Sequence, residues 1–167
     1  LVREQMGEAW FELSPEAARK QAESAGLDIA PDWDMLMITH EVYEKLVEPS
    51  LHRPTFVTRL SAALVPLAKA CPDDPALVDV FELVIRGQEV APAYTEMNDP
   101  IEQRRRFLEQ ADGDASKMDH DFVTALEYGM PPAGGMGVGI DRLMMILSGA
   151  EAIRDVILFP QLKQKSE

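Results

Sequence analysis

The sequence predicts an α+β domain, an antiparallel sheet flanked by helices, on three observations. Helix-start signatures recur along the chain: Ser14-Pro15-Glu16, Asp99-Pro100 and Asp119. Between them lies a hairpin signature, an apolar run that returns through Arg86-Gly87. Helices interleave with antiparallel hairpin signals, and no βαβ unit is visible, so the pattern is α+β. The chain has 167 residues, 46 % of them apolar, which suits one domain and rules out a wholly disordered acidic tail.

Each element has a local reason. Ser14 as cap, Pro15 in the first turn and Glu16 on the helix dipole predict a helix over 15–24, stopped by Gly26. A second helix is expected after Pro31, where Trp33, Leu36, Met37, Val42, Leu46 and Val47 recur at helical spacing until Pro49. Residues 1–52 thus read as mainly helical and 53–167 as sheet and helices. Residues 55–58 are β-branched and aromatic, hence a strand. Residues 62–70 are apolar but broken by Pro66, a strand or a loop. Residues 78–85 and 88–95 read as the two arms of the hairpin. Asp99 and Pro100 start a helix to about Gln110, residues 111–117 are a loop, and Asp119 caps a helix with Phe122, Val123 and Leu126 on one face, ended by Gly129. A glycine strand over 134–139 runs into an apolar helix over 140–147. Residues 153–159 are expected to end the fold as a turn and then a buried strand, closed by Pro160.

Charge and composition exclude several functions. Sixteen basic and 29 acidic residues leave a net charge of −13, which argues against this chain alone gripping phosphate backbones. Residues 1–50 hold four bases against eleven acids, so more than half of the excess sits on the helical N-terminal part, the ordinary pattern of a solvated helix face. The single cysteine, Cys71, excludes an internal disulfide and fits a reducing, cytoplasmic compartment. No apolar run approaches the roughly 20 residues that span a bilayer, and the charged opening stretch is no signal peptide. A start at Leu1 rather than methionine suggests a piece of a longer protein.

Two constellations carry chemistry. Gly135, Gly137 and Gly139 alternate with Met136, Val138 and Ile140, so a strand there has one bare face and one apolar core face. The bare face either packs closely under another element or admits a flat ring or phosphate chain to the main chain. Arg142 follows in the first helical turn, where its fork of donors suits phosphate. The spacing is GxGxG, not the dinucleotide-binding GxGxxG. In the hairpin, a turn at Arg86-Gly87 puts Glu82 and Glu89 diagonally on one face. They are either two solvated acids or a pair shared by a hard divalent cation such as Mg²⁺. Glu96 joins that face only if the strand slips by one residue between Glu89 and Glu96, and Pro92 in that interval makes an irregularity plausible. His40, His52 and His120 show no metal-ligand spacing, Cys71 has no nucleophile context, capping explains Asp119 of the DxD at 119–121, and Arg104-Arg105-Arg106 reads as a solvated helix face.

These residues add up to a resemblance. GGMGVGIDRLMMIL (134–147) looks like motif 3 of the class II aminoacyl-tRNA synthetases. Asp141-Arg142, IRDVILFP (153–160), MDHDFVTALEYGMPP (118–132), RPTFVT (53–58) and FELVIRGQEVAPAYTEMNDP (81–100) resemble the lysine-specific branch, with the aspartate and asparagine enzymes the nearest relatives. The resemblance runs over about residues 20–162 and implies a partial class II catalytic domain.

That resemblance implies roles for particular residues. Arg142 matches the motif 3 arginine that contacts ATP, and Gly139 the backbone position beside it. Glu82 and Glu89 match the glutamates that hold Mg²⁺ on the ATP phosphates, Glu96 the one that receives the lysine ε-ammonium, and Tyr94 an aromatic residue of that pocket. The implied partners are ATP, L-lysine and tRNA(Lys), in a homodimeric parent without a membrane. Departures are Pro92, where the family usually has an asparagine that helps hold the amino acid, and Ala63 and Val65, where it usually has Glu and Ser. The anticodon-binding domain and motifs 1 and 2 are expected to lie outside this chain, so the fragment alone is expected to be inactive. A paralogous ligase that lysylates a protein, such as elongation factor P, and a non-catalytic module derived from a synthetase are the alternatives.

Overall fold

Side-chain caps start four of the α-helices, at Ser14, Asp34, Asp99 and Asp119. The structure is a computed structural model and describes residues 1–161. After α1 (Val2–Met6) and a 3₁₀ turn at Trp10–Glu12, α2 (Pro15–Ser24) begins where the Ser14 hydroxyl accepts from the Ala17 N–H at 3.3 Å. The next helix, α3 (Met35–Val42), starts later than Pro31 predicts. Its cap is Asp34, whose carboxylate accepts from the Met37 N–H at 2.9 Å. It widens into a π turn at Tyr43–Val47 and tightens into a 3₁₀ turn at Glu48–Ser50, where Pro49 lacks the N–H to continue.

Five strands, two helices, a strand and a helix follow: β1 (Thr55–Thr58), β2 (Ala70–Cys71), β3 (Asp74–Val78), β4 (Val80–Ile85), β5 (Gln88–Thr95), α4 (Pro100–Gln110), α5 (His120–Glu127), β6 (Gly134–Met136) and α6 (Ile140–Ser148). Asp99 caps α4 and Asp119 caps α5 through their carboxylates, as expected. One sheet has the order β1-β4-β5-β6, and β2 and β3 form a second, antiparallel pair. The architecture is the α+β one expected.

The chain divides into two compact units. The first comprises Leu1–Thr55, Val84–Val90 and the described residues from Val138 on. Its core is Met6, Trp10, Ala18, Ala22, Ile29, Ile38 and Val42, and the Trp10 indole N–H donates to the Thr39 hydroxyl at 3.0 Å. The β4–β5 turn belongs to it. Arg86 and Gly87 both have positive φ (54° and 72°), the twist a two-residue hairpin needs. The Gly87 N–H donates to the Leu51 carbonyl at 3.0 Å, and a Cβ there would lie 2.8 Å from the Pro49 oxygen, so only glycine fits.

The second unit comprises Phe56–Leu83 and Ala91–Gly137. Ala68, Val78 and Val80 form its buried cluster, with Leu60, Val65 and Tyr94 packed against it. Val65 therefore fills core, while Ala63 is exposed. Residues 62–70 are mostly turns; Ala68 forms an isolated bridge to Glu96, and Ser61 just before them one to Leu77. The single strand expected over 78–85 is interrupted at Asp79. Its N–H donates to the Lys69 carbonyl at 2.8 Å, and its carboxylate accepts from the Thr95 hydroxyl at 2.6 Å.

Three expectations are corrected. Arg106 is not a solvated base. It is 5 % exposed, and its guanidinium donates to the Ala68 carbonyl at 2.7 Å and to the Glu102 carboxylate at 2.8 Å. The alternate residues of the glycine segment face no apolar core: Met136 and Ile140 are 66 % and 63 % exposed, and α6 has no buried residue. The closing segment forms a 3₁₀ turn at Ile153–Asp155 but no strand, and Leu158 and Phe159 stand exposed. A strand needs a neighbour's ladder to satisfy its main chain, and among the described residues this segment has none.

Candidate functional site

Two groups of the expected site residues assemble, one in each unit. In the first unit, Gly139 precedes α6 and its N–H donates to the Val90 carbonyl at 2.8 Å. Arg142, one turn on, lays its side chain over the bare Cα of Gly139, where a Cβ would lie 3.6 Å from both Arg142 Cβ and Cδ. Its Nη1 donates to the Glu89 carbonyl at 2.6 Å and stands 3.8 Å from the Glu89 carboxylate. The Glu89 N–H donates in turn to Glu48 Oε1 at 3.1 Å. Side chains thus take up the main-chain groups on both sides of Glu89. A cleft of about 330 Å³ lies here, lined by Glu48, Gln88, Glu89, Arg142, Met145 and Ile153. Glu48 had no motif around it; its partner lies 41 residues away along the chain, beyond any local signal.

The second unit holds the other group. Tyr94 pairs with Gly135 across the β5–β6 ladder. The Glu96 carboxylate lies directly over Gly135, where an added Cβ would collide with Oε1 and sit 3.0 Å from Cδ. The Glu96 N–H donates to the Ala133 carbonyl at 2.9 Å, which fixes its main chain. Burial, and then the Glu96 charge, push the Tyr94 hydroxyl above the usual tyrosine range. A cleft of about 660 Å³ is walled by Tyr94, Gly135, Met136, Phe81, Arg59 and Asp79, among others. Glu82 lies in β4 of this unit, half buried.

Pro92 does not mark a slip. Its carbonyl accepts from the Gly137 N–H at 2.9 Å, and the same two-residue step runs from Gly139–Val90 to Glu96–Ala133. The proline ring instead lies against the bare Cα of Gly137, 3.9 Å from where a Cβ would be. The irregular position is Glu89 itself, through Glu48 and Arg142.

The donor chemistry fits a shared hard cation better than a resident one. Among the described residues no group of three or more His, Cys, Asp or Glu could hold a metal ion. Mg²⁺ is commonly held by one or two carboxylates plus substrate phosphates, which Glu89 beside Arg142 allows. Cys71 is buried, its thiol pushed up chiefly by that burial, and so is no activated nucleophile. No helix among the described residues is long and apolar enough to cross a membrane.

Comparison with known proteins gives a consistent answer. Residues 9–163 match the family described as tRNA synthetases class II (D, K and N). The lysine–tRNA ligase of Halalkalibacterium halodurans is 47 % identical over 171 residues, covering 98 % of this chain and 34 % of that protein. The lysine–tRNA ligase of Moorella thermoacetica is 52 % identical over 158 residues, covering 91 % of this chain and 32 % of its own length. That of Bacillus subtilis is 46 % identical over 171 residues, with 98 % and 34 % covered. The chain spans about a third of the length of these relatives.

Proposed function

We propose, from the premise that the chain belongs to the class II tRNA synthetases, that it is the C-terminal part of the catalytic domain of a lysine–tRNA ligase. The parent enzyme joins lysine to ATP, releases pyrophosphate and passes the lysyl group to the terminal ribose of tRNA(Lys). It works as a cytoplasmic homodimer. Catalysis of this type is mostly positioning and electrostatics. Glu82 and Glu89 would hold Mg²⁺, and the ion when bound would supply positive charge to the ATP phosphates. Arg142 binds ATP beside Gly139 and offsets negative charge on the phosphates. Glu96 receives the lysine ε-ammonium, and Tyr94 lines the same pocket.

The observation that carries this reading is the Glu96 carboxylate seated over Gly135 beside Tyr94. An acid fixed at the end of a strand next to an aromatic ring is what a long aliphatic chain ending in an ammonium requires. The test is ATP–pyrophosphate exchange by the full-length enzyme with each amino acid in turn. Exchange with lysine alone supports the reading, and exchange driven better by aspartate or asparagine overturns it. The 167-residue chain by itself is expected to show no exchange, because it spans only about a third of the length of its relatives.

A second reading, a non-catalytic module, draws on Pro92. Its ring covers Gly137, and it has neither an N–H nor a polar side chain for a substrate amino acid. Calorimetry of lysine and ATP binding to the full-length protein separates the two: binding of both supports the enzyme, binding of neither the module.

A further inference from the structure

The segment that carries Glu48 is tied to the hairpin turn along a stretch that is neither strand nor long helix. Pro49 ends the helical run, and its main chain is pressed against the Cα of Gly87. The Leu51 carbonyl accepts from the Gly87 N–H at 3.0 Å, and the His52 carbonyl from the Arg86 N–H at 3.4 Å. The hairpin turn therefore anchors residues 49–52, and Glu48, next to that anchor, meets the residue two places beyond the turn.

The Glu48 carboxylate reaches the main chain of the returning strand, where its Oε1 accepts from the Glu89 N–H at 3.1 Å. In an ordinary hairpin a strand N–H bonds a partner strand or faces solvent. The Glu89 carbonyl is likewise taken by Arg142, at 2.6 Å. The peptide groups flanking Glu89 are thus gripped from both sides by charged side chains. The Glu89 carboxylate stands 3.8 Å from Arg142 Nη1 in the cleft that all three residues line.

We propose that Glu48 is a positioning residue. By accepting the Glu89 N–H it holds the Glu89 carboxylate where it binds the cation that accompanies ATP. This rests on the reading of Glu89 as a Mg²⁺ ligand. Groups that orient a ligand from behind govern metal affinity by about 10- to 100-fold. The role depends on reach and on an acceptor oxygen, and not on charge.

Three variants of the full-length enzyme test it. Glu48→Gln keeps an acceptor oxygen at the same reach, Glu48→Asp keeps the charge but falls one methylene short, and Glu48→Ala removes both. Two quantities are read: hydrogen–deuterium exchange at the Glu89 amide without metal or nucleotide, and the Mg²⁺ concentration that half-saturates ATP–pyrophosphate exchange. The Gln variant should match the parent within about twofold on both. The Asp and Ala variants should lose amide protection and need about tenfold more Mg²⁺. An Asp variant that behaves like the parent, or a Gln variant that does not, overturns the proposal. The Gln–Asp contrast decides even if the Ala variant does not fold. Glu89→Gln is the control: if it leaves the Mg²⁺ requirement unchanged, the metal reading fails, while amide exchange still decides whether Glu48 holds Glu89.

Discussion

The Glu96 carboxylate occupies the space that a Cβ on Gly135 would need. The glycine is therefore a requirement of the acid opposite and not a loose point in the strand. A Cβ on Gly134, one residue earlier, would meet only the Tyr94 carbonyl, at 3.9 Å. Gly135→Ala should push Glu96 aside and raise the KM for lysine by on the order of tenfold or more, leaving the KM for ATP nearly unchanged. Gly134→Ala should change neither. Steady-state exchange kinetics on both variants check this, and equal effects would sink it.

The Arg86-Gly87 turn makes a prediction about stability. Gly87 combines a φ of +72° with a Cβ position 2.8 Å from the Pro49 oxygen. Gly26 has a φ of +90° with nothing within 4 Å. Gly26→Ala should cost about 1 kcal/mol of backbone strain. Gly87→Ala should cost at least about 2 kcal/mol, because the contact adds to the strain. Chemical unfolding of the two variants measures the difference.

Buried Arg106 ties α4 to the 66–68 segment through the Pro66 and Ala68 carbonyls, at 3.4 and 2.7 Å. Arg106→Met leaves the Ala68 carbonyl without its donor and Glu102 without one of its cations. It should destabilise by about 3 kcal/mol. Arg106→Lys should recover only part of this, since one ammonium cannot repeat the fork's spread of donors. Denaturant midpoints decide, and a Lys variant as stable as the parent would refute the fork argument.

Glu102 makes stability depend on acid. Hydrogen bonds from Arg105 first and Arg106 next hold its carboxyl down from 4.5 to about 2. A depressed folded-state pKa stabilises above the unfolded value, so the contribution is whole above about pH 4.5 and lost as the pH falls toward about 2. Glu102→Gln should therefore flatten the acid limb of the stability profile and change little between neighbouring pH values nearer neutrality. Unfolding free energies measured across that range provide the check.

Much of the fold was legible because its signals act over a few residues. Ser14, Asp99 and Asp119 cap their helices through N–H groups two or three residues on. Arg86-Gly87 turns the hairpin by its own φ angles. Other readings failed where a distant partner decides. Periodicity alone takes Arg106 for a surface base, but carbonyls about forty residues away enclose it. Apolar residues 157–159 read as a buried strand, yet a strand forms only against a neighbour. Pro92 is a plausible place for a slip, yet its carbonyl serves the ladder without needing an N–H.

The sequence by itself determined the family, the order of helices and strands, and which residue types were available for chemistry. Motif residues and caps are local patterns that survive in a linear string. Only the tertiary structure decided that Glu96 rests on Gly135, that Arg142 folds over Gly139 to reach Glu89, and that Glu48 grips Glu89 from behind. Those contacts join residues 39, 53 and 41 positions apart. Nothing in a local pattern sets such distances: the close approach of two main chains where one lacks a Cβ, and the docking of a turn on a helix end, exist only once the chain has folded.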